Sequence, residues 1–425
     1  MNRIILIGNG FDRAHYLPTS YKHFINYYWE KTIKKVQKIL KDNRYEDDDI
    51  IVDKVPRIWI SGYEYNDFKK SINNKKGDII FKNKFLEIIT HKQYLQDWVE
   101  IENEYYSLLI ETYERKHDSR YDYDILKLNA DFERIKQYLI NYLKAIENGD
   151  INIKMISKID EIRNNIYSTF KFRDFTEEAK KDKVKIEYEK FNKNADAVDK
   201  HIVSLHELDE KQRLLISNNK GEISLKEMRQ ILTLYSNKYF NLLPKKILFL
   251  NFNYTDTDIR YLNYDETNIV ESHISKERVQ IHGSINEKEK NPIIFGFGDE
   301  LDDKYKIIED LNDNDYLDNI KSIKYLETAN YKKLLEFINS ESYQIFIFGH
   351  SCGISDRTLL NTLFEHKNCV SIKPYYFQKS ISEDNYSDIV KNISRNFNNK
   401  SIMRDKVVNK EFCVSLKTFE PKNER

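Results

Sequence analysis

Ile4-Ile5-Leu6-Ile7-Gly8-Asn9-Gly10-Phe11-Asp12 is the stretch on which the fold turns. Four consecutive aliphatic side chains leave no polar face. The run therefore reads as a strand, residues 3–7, buried on both sides as in a parallel sheet under helices. Gly8 breaks the run and Gly10 follows it. A glycine at a strand end lets backbone approach a pyrophosphate, and the N-terminus of a following helix favours an anion. Gly-x-Gly without the third glycine of the dinucleotide fingerprint serves a tight strand-to-helix turn equally well.

Outward from this stretch, the same apolar character returns only after Lys246. Ile247 to Leu250, Val279 to Ile281, Tyr343 to Phe348 and Val370 to Phe377 are further candidate strands. Pro374 places the last of them near a sheet edge. Helices fit at Tyr331 to Ile338 and Arg357 to Phe364. Strands alternating with helices predict an α/β doubly wound parallel sheet. From about residue 30 to 240 the periodicity is helical instead. Trp98, Ile101, Tyr105, Leu108 and Leu109 share one helical face, and Phe132, Ile135, Leu139, Tyr142, Leu143 and Ile146 another. Ser224 to Glu227 reads as a capping box. Residues 41–49 and 116–124 are charged and polar and read as loops.

The first strand lies far ahead of the second, so the middle reads as a large α-helical insertion between them. The expected organisation is residues 1–30 as the first strand and helix, 31–244 as the insertion, and 245–425 as the rest of the sheet domain. The insertion is expected to pack over the ligand pocket, with Trp98 and Ile101 in its core. Glu102 reads first as an exposed acid on an amphipathic helix, with a place near the pocket mouth as the sharper alternative.

Composition bounds the function. In 425 residues, 40% hydrophobic and 32% charged side chains specify a globular core. Basic and acidic residues balance at 69 each, so no net field favours nucleic acid or an anionic membrane. Cys352, Cys369 and Cys413 form no C-x-x-C pair. That argues against a disulfide framework and excludes a four-cysteine zinc site. No H-E-x-x-H motif or carboxylate cluster calls for a metal, and none is expected. The first aliphatic run is too short for a signal peptide, and no run is long enough to span a membrane. The expected location is the cytoplasm. Abundant Lys, Ile, Asn and Tyr suggest an AT-biased genome.

Four polar clusters end the candidate strands. Gly8, Asn9, Gly10 and Asp12 follow the first. Asn251 to Thr255 follows the second, where the Asn253 amide suits a water or a ribose hydroxyl but Asn and Thr also cap helices. His282-Gly283-Ser284 follows the third; a histidine there suits a general base, though turn histidines are more common. Gly349-His350-Ser351-Cys352-Gly353 follows the fourth. It spells a Gly-x-Ser-x-Gly nucleophile elbow, yet Asp356 and His366 come too soon after it for the usual triad layout. Ligands of open α/β sheets bind at the carboxyl ends of strands, so the four clusters are expected to converge.

In order and offset the clusters resemble the sirtuin-like superfamily. Gly8, Gly10, Leu17 and Pro18 fall on its opening motif and Asn253 on its Thr-Gln-Asn-x-Asp. His282-Gly283 matches its His-Gly, Phe295 to Glu300 its Phe-Gly-Glu, and Gly349-His350-Ser351 its Gly-Thr-Ser. Asn9 and Asp12 replace the family's Ala and Ser, and the zinc ribbon is missing. More closely, the chain resembles the bacteriophage abortive infection AbiH family. Ile4 to Asp12 with Leu17 to Tyr21, Trp98-x-x-Ile101-Glu102, Phe252-Asn253-Tyr254, Ile281-His282-Gly283 and Phe348 to Ser351 carry that likeness.

These resemblances imply a Rossmann-like, sirtuin-like fold and a bacterial anti-phage role. They imply Asn253 and His282 as catalytic residues, and Gly8, Asn9, Gly10, Asp12, Gly349, His350 and Ser351 as the NAD-binding set. The expected reaction is hydrolysis of NAD at the nicotinamide–ribose bond during infection. The alternative is a nucleotide-binding sensor without catalysis. Expected partners are the nucleotide, a phage-encoded or host trigger protein and further copies of the chain, with neither membrane nor nucleic acid.

Overall fold

A computed structural model of the chain describes residues 1–38, 44–53, 79–92, 98–149, 156–262, 273–380 and 382–416. Strand β1 (Asn2–Ile7) leads into helices α1 (Asn9–Ala14) and α2 (Tyr21–Lys38). Strands β2 (Arg44–Glu46), β3 (Ile50–Asp53) and β4 (Ile79–Phe81) come next. The longer helices that follow are α3 (Lys84–His91), α4 (Trp98–Glu114), α5 (Ile125–Glu147), α6 (Ile156–Ile166), α7 (Glu177–Asp199), α8 (Glu210–Asn218) and α9 (Leu225–Leu234). Then come β5 (Lys246–Asn251), β6 (Ser275–Gln280), α10 (Asn330–Ser340), β7 (Tyr343–Phe348), α11 (Arg357–Glu365), β8 (Cys369–Phe377), α12 (Tyr386–Arg395) and β9 (Ser415–Leu416).

Six strands form one parallel sheet in the order β6-β5-β1-β7-β8-β9. Counted along the chain, that order reads 3-2-1-4-5-6, with β1 where the direction of winding reverses. β1 pairs with β5 (Ile5 opposite Phe249) on one side and with β7 (Ile5 opposite Phe346) on the other. Every residue of β1 and β7 is buried, and all but Asn2, Arg3 and Gln344 are apolar, which is why Ile4–Ile7 and Ile345–Phe348 appear in the sequence as apolar runs. Successive side chains go to opposite faces. Ile4, Leu6, Leu248, Leu250, Ile345 and Ile347 meet α10 and α11 through Leu334, Phe337, Leu360 and Phe364. Ile5, Ile7, Phe249, Phe346 and Phe348 meet Phe11, Tyr261 and, from α6, Ile162 and Ile166. Pro374 of β8 lies before the only two residues that pair with β9, Tyr376 and Phe377, so its missing N–H costs no bond to β9.

Two expectations need correction. Residues 44–46, expected in a loop, form β2, whose Tyr45 is buried and pairs with Val52 of β3. Residues 41–43 lie outside the described residues. The third strand, expected at 279–281, is β6 at Ser275–Gln280. Its first half is charged because it is a sheet edge paired only to β5. Residues 116–124 lie between α4 and α5 without helix or strand, as expected.

Helices α2 to α5 and the antiparallel β2-β3-β4 sheet share one core built on Phe24, Trp29, Phe85, Ile101, Tyr105, Phe132 and Leu139. A separate core holds Phe172, Phe191, Leu215, Met228 and Leu232. The Ser224–Glu227 capping box is present at the start of α9.

Candidate active site

Strand β1 ends at Ile7, and the turn that Gly8 begins is pressed against the end of β7. A Cβ on Gly10 would lie 2.8 Å from Gly349 Cα, and one on Gly349, whose φ is +70°, only 2.1 Å from the Phe11 nitrogen. Glycine is required here so that two strand-end loops can touch. Their N–H groups are engaged too: Gly8 donates to Phe348 O (3.1 Å) and Gly10 to Gly349 O (2.8 Å). Neither is left to cradle a phosphate. Asn9 donates from Nδ2 to the carbonyl and hydroxyl of Thr19, both at 2.9 Å. The Trp98 indole N–H, from α4, donates to the same carbonyl.

The loop after β5 is tied to this turn. Asn253 Nδ2 donates to Gly8 O at 3.0 Å, and its N–H donates to Asn251 Oδ1 at 2.8 Å. The Thr255 hydroxyl donates to Asp12 Oδ2 at 2.7 Å, while Asp12 Oδ1 is buried without a partner. Burial pushes the Asp12 carboxyl up to about 7, against the hydrogen bond from Thr255.

Next to these loops lies a buried charged cluster. Asp356, just before α11, places Oδ1 2.8 Å from Lys321 Nζ and 3.3 Å from His282 Nε2, and Oδ2 3.5 Å from His350 Nε2. Lys321, on a short helix Lys321–Lys324, also contacts Glu102 of α4 at 2.8 Å. His282 Nε2 is 3.1 Å from the Tyr325 hydroxyl. The Cys352 N–H donates to His350 Nδ1 at 2.9 Å, which places the His350 proton on Nε2, facing Asp356. Phe252 stands edge-on to both imidazoles.

Burial alone would raise the Asp356 carboxyl, but Lys321, then His282 and His350, hold it well below the usual range. Glu102 moves the other way, raised first by burial and then by Asp356, against the pull of Lys321. Burial, then Lys321, lower His282 to about 4 despite Asp356. His282 is therefore neutral at pH 7, and its contact with Asp356 is a hydrogen bond and not an ion pair. Among the described residues its Nδ1 makes no hydrogen bond.

A cavity of about 820 Å³ opens over both groups. Gly8, Asn9, Gly10, Asp12, Asn253, His282, Gly349, His350 and Ser351 all line it, although they span most of the chain. Glu102, Lys321 and Asp356 line it as well, and Arg13 and Lys22 are exposed parts of its lining. Sequence reasoning missed Lys321 and Tyr325 as site residues, and passed over Asp356 except as a poor triad acid. Glu102 is not an exposed acid: it is 4% exposed, because Lys321 gives its carboxylate a buried partner.

The family model for bacteriophage abortive infection AbiH matches residues 4–55 and 61–378. No curated protein and no solved structure matches the chain. Among the described residues no helix is long and apolar enough to cross a membrane. The family match runs through β1 and every charged residue of the cavity, and on it the chain belongs to the bacteriophage abortive infection AbiH family.

Proposed function

We propose that this chain defends a bacterium against phage by hydrolysing NAD at the nicotinamide–ribose bond when infection begins. The sheet order 3-2-1-4-5-6 is that of doubly wound dinucleotide-binding folds, whose ligands sit at the carboxyl ends of strands where the order reverses. On this reading the sheet is Rossmann-like and the helical middle is an insertion over its site. The likeness of the strand-end motifs to sirtuin-like proteins directs the choice of NAD. The observation that carries the proposal is His282 held 3.3 Å from Asp356 inside the cavity at that reversal, where burial and Lys321 favour the neutral imidazole and Lys321 the ionised carboxyl.

The residues present fit such a substrate. A volume of about 820 Å³ lies in the upper part of the roughly 300–1,000 Å³ range of small-molecule sites. With the Gly8 and Gly10 N–H groups engaged, charge for a diphosphate comes from Arg13 and Lys22. Asn253 and Ser351 would contact ribose. The reaction breaks the C1′–N bond through an oxocarbenium-like state, and nicotinamide leaves neutral with the bonding pair. Water adds to C1′, and His282 Nδ1 takes its proton and passes it to solvent. The expected trigger is a phage-encoded or host protein.

Both Asp356 oxygens are already held by protein groups, an arrangement that also suits a rigid nucleotide sensor. A time course of NAD with purified protein separates the two. Loss of NAD with the parent protein and none with His282→Ala supports the enzyme. Constant NAD in cells that the parent protein fully protects refutes it.

A further inference from the structure

Lys321 is a buried cation shared by two carboxylates from different parts of the chain. Its side chain is 1% exposed. It contacts Glu102, from the helical middle, and Asp356, which touches the proposed general base. Burying such ions gains little stability, because desolvation offsets most of their attraction. The arrangement calls for another role.

We propose that Lys321 and Glu102 are positioning residues: they clamp Asp356 so that His282 keeps Nε2 on Asp356 and Tyr325 and leaves Nδ1 for a water. The proposal rests on the hydrolase reading of the site, but the clamp is measurable without substrate. Asp356 and His350 face His282 from the loop after β7, and Lys321 and Tyr325 from residues 321–325; behind them Glu102 of α4 contacts Lys321, and Tyr254 from the loop after β5 and Tyr331 of α10 act on Tyr325. Asp356 alone would draw a proton onto His282, leaving both ring nitrogens as donors and no base. The Lys321 ammonium opposes that proton. Glu102 keeps the ammonium in place and balances its charge.

The test is a side-chain NMR titration of labelled histidine in the full chain, with the His282 signal assigned through His282→Gln. The variant E102Q/K321M removes one charge of each sign and leaves Asp356 with the two imidazoles, His282 and His350, as its remaining partners. The variant's His282 should bind a proton about tenfold more tightly than in the parent, the lower end of the about 1–3 units by which a neighbouring charge typically moves a pKa, because the loss of Glu102 offsets part of the loss of Lys321. The acid limb of NAD hydrolysis should move up with it. K321R, which keeps the charge, should retain the parent titration. E102Q alone is isosteric and tests the opposite sign: with Lys321 intact, His282 must titrate no higher than in the parent. An unchanged His282 titration in a folded E102Q/K321M, or a rise in E102Q, overturns the proposal. If His282 shifts as stated while NAD stays intact even with the parent protein, the clamp stands and the hydrolase reading falls.

Discussion

Replacing Asp12 with Asn should change how stability responds to pH, in a direction the structure sets. Asp12 is 1% exposed; one oxygen accepts from Thr255 and the other has no partner. Its carboxyl titrates near 7 in the fold, against 3.8 in the free side chain. Below about 3.8 both states hold the proton. Between about 3.8 and 7 the unfolded chain releases it and the folded chain does not, so stability falls as pH rises; above about 7 the slope ends. About three units at about 1.36 kcal/mol each amount to on the order of 4 kcal/mol. Asn does not titrate, so the variant lacks this loss. An unfolding entropy of about 2.1 cal/mol/K per residue over 425 residues converts the difference to about 4 °C in Tm. The assay is thermal unfolding of both proteins from about pH 4 to 7.5, where the variant's Tm should gain on the parent's by that amount. Parallel Tm–pH curves would refute a buried, proton-holding Asp12.

Three further outcomes follow from the same geometry. Gly349→Ala puts a Cβ 2.1 Å from the Phe11 nitrogen at a φ of +70°, and should cost at least about 1–3 kcal/mol; an unchanged Tm would show that the two loops separate freely. Asn253→Ala removes the bond to Gly8 O at a cost of about 1 kcal/mol. The protein should stay folded and lose phage protection in a plaque assay; full protection would take Asn253 out of the site. Ser224→Ala removes a formed capping box and should weaken α9 by about 1 kcal/mol. Hydrogen exchange should quicken in the first turn of α9 and not at β1.

The sheet was legible where burial is two-sided. Tyr343–Phe348 matches β7 residue for residue, because a central parallel strand needs apolar side chains on both faces. The first four residues of β6, Ser275-Lys276-Glu277-Arg278, carry no such pattern because the strand is an edge. Strands β2 to β4 escaped notice because two of them are only three residues long and owe their place to packing on the helical core. Loops at strand ends announced Gly8, Asn253, His282 and Gly349 through position alone. Lys321 sits between Ile320 and Ser322 in a stretch without a motif, and nothing local marks it. Its meaning comes from Glu102, 219 residues away, and Asp356, 35 away, which only the fold brings together.

The central place of β1 sets a timetable for synthesis. Its neighbours are β5 and β7, so Ile7 meets its partner Phe348 only after every residue between the two has been made. At about 5–20 residues per second the first strand waits on the order of 20–70 s for that edge. Until then its apolar side chains must be sheltered by a chaperone or by the helical segments made meanwhile. A chain that stops short of Phe348 lacks not only the seam beside β1 but also Gly349, His350 and Asp356. An interrupted ribosome therefore releases no partial site: the cavity comes into being only once the loop after β7 has been made.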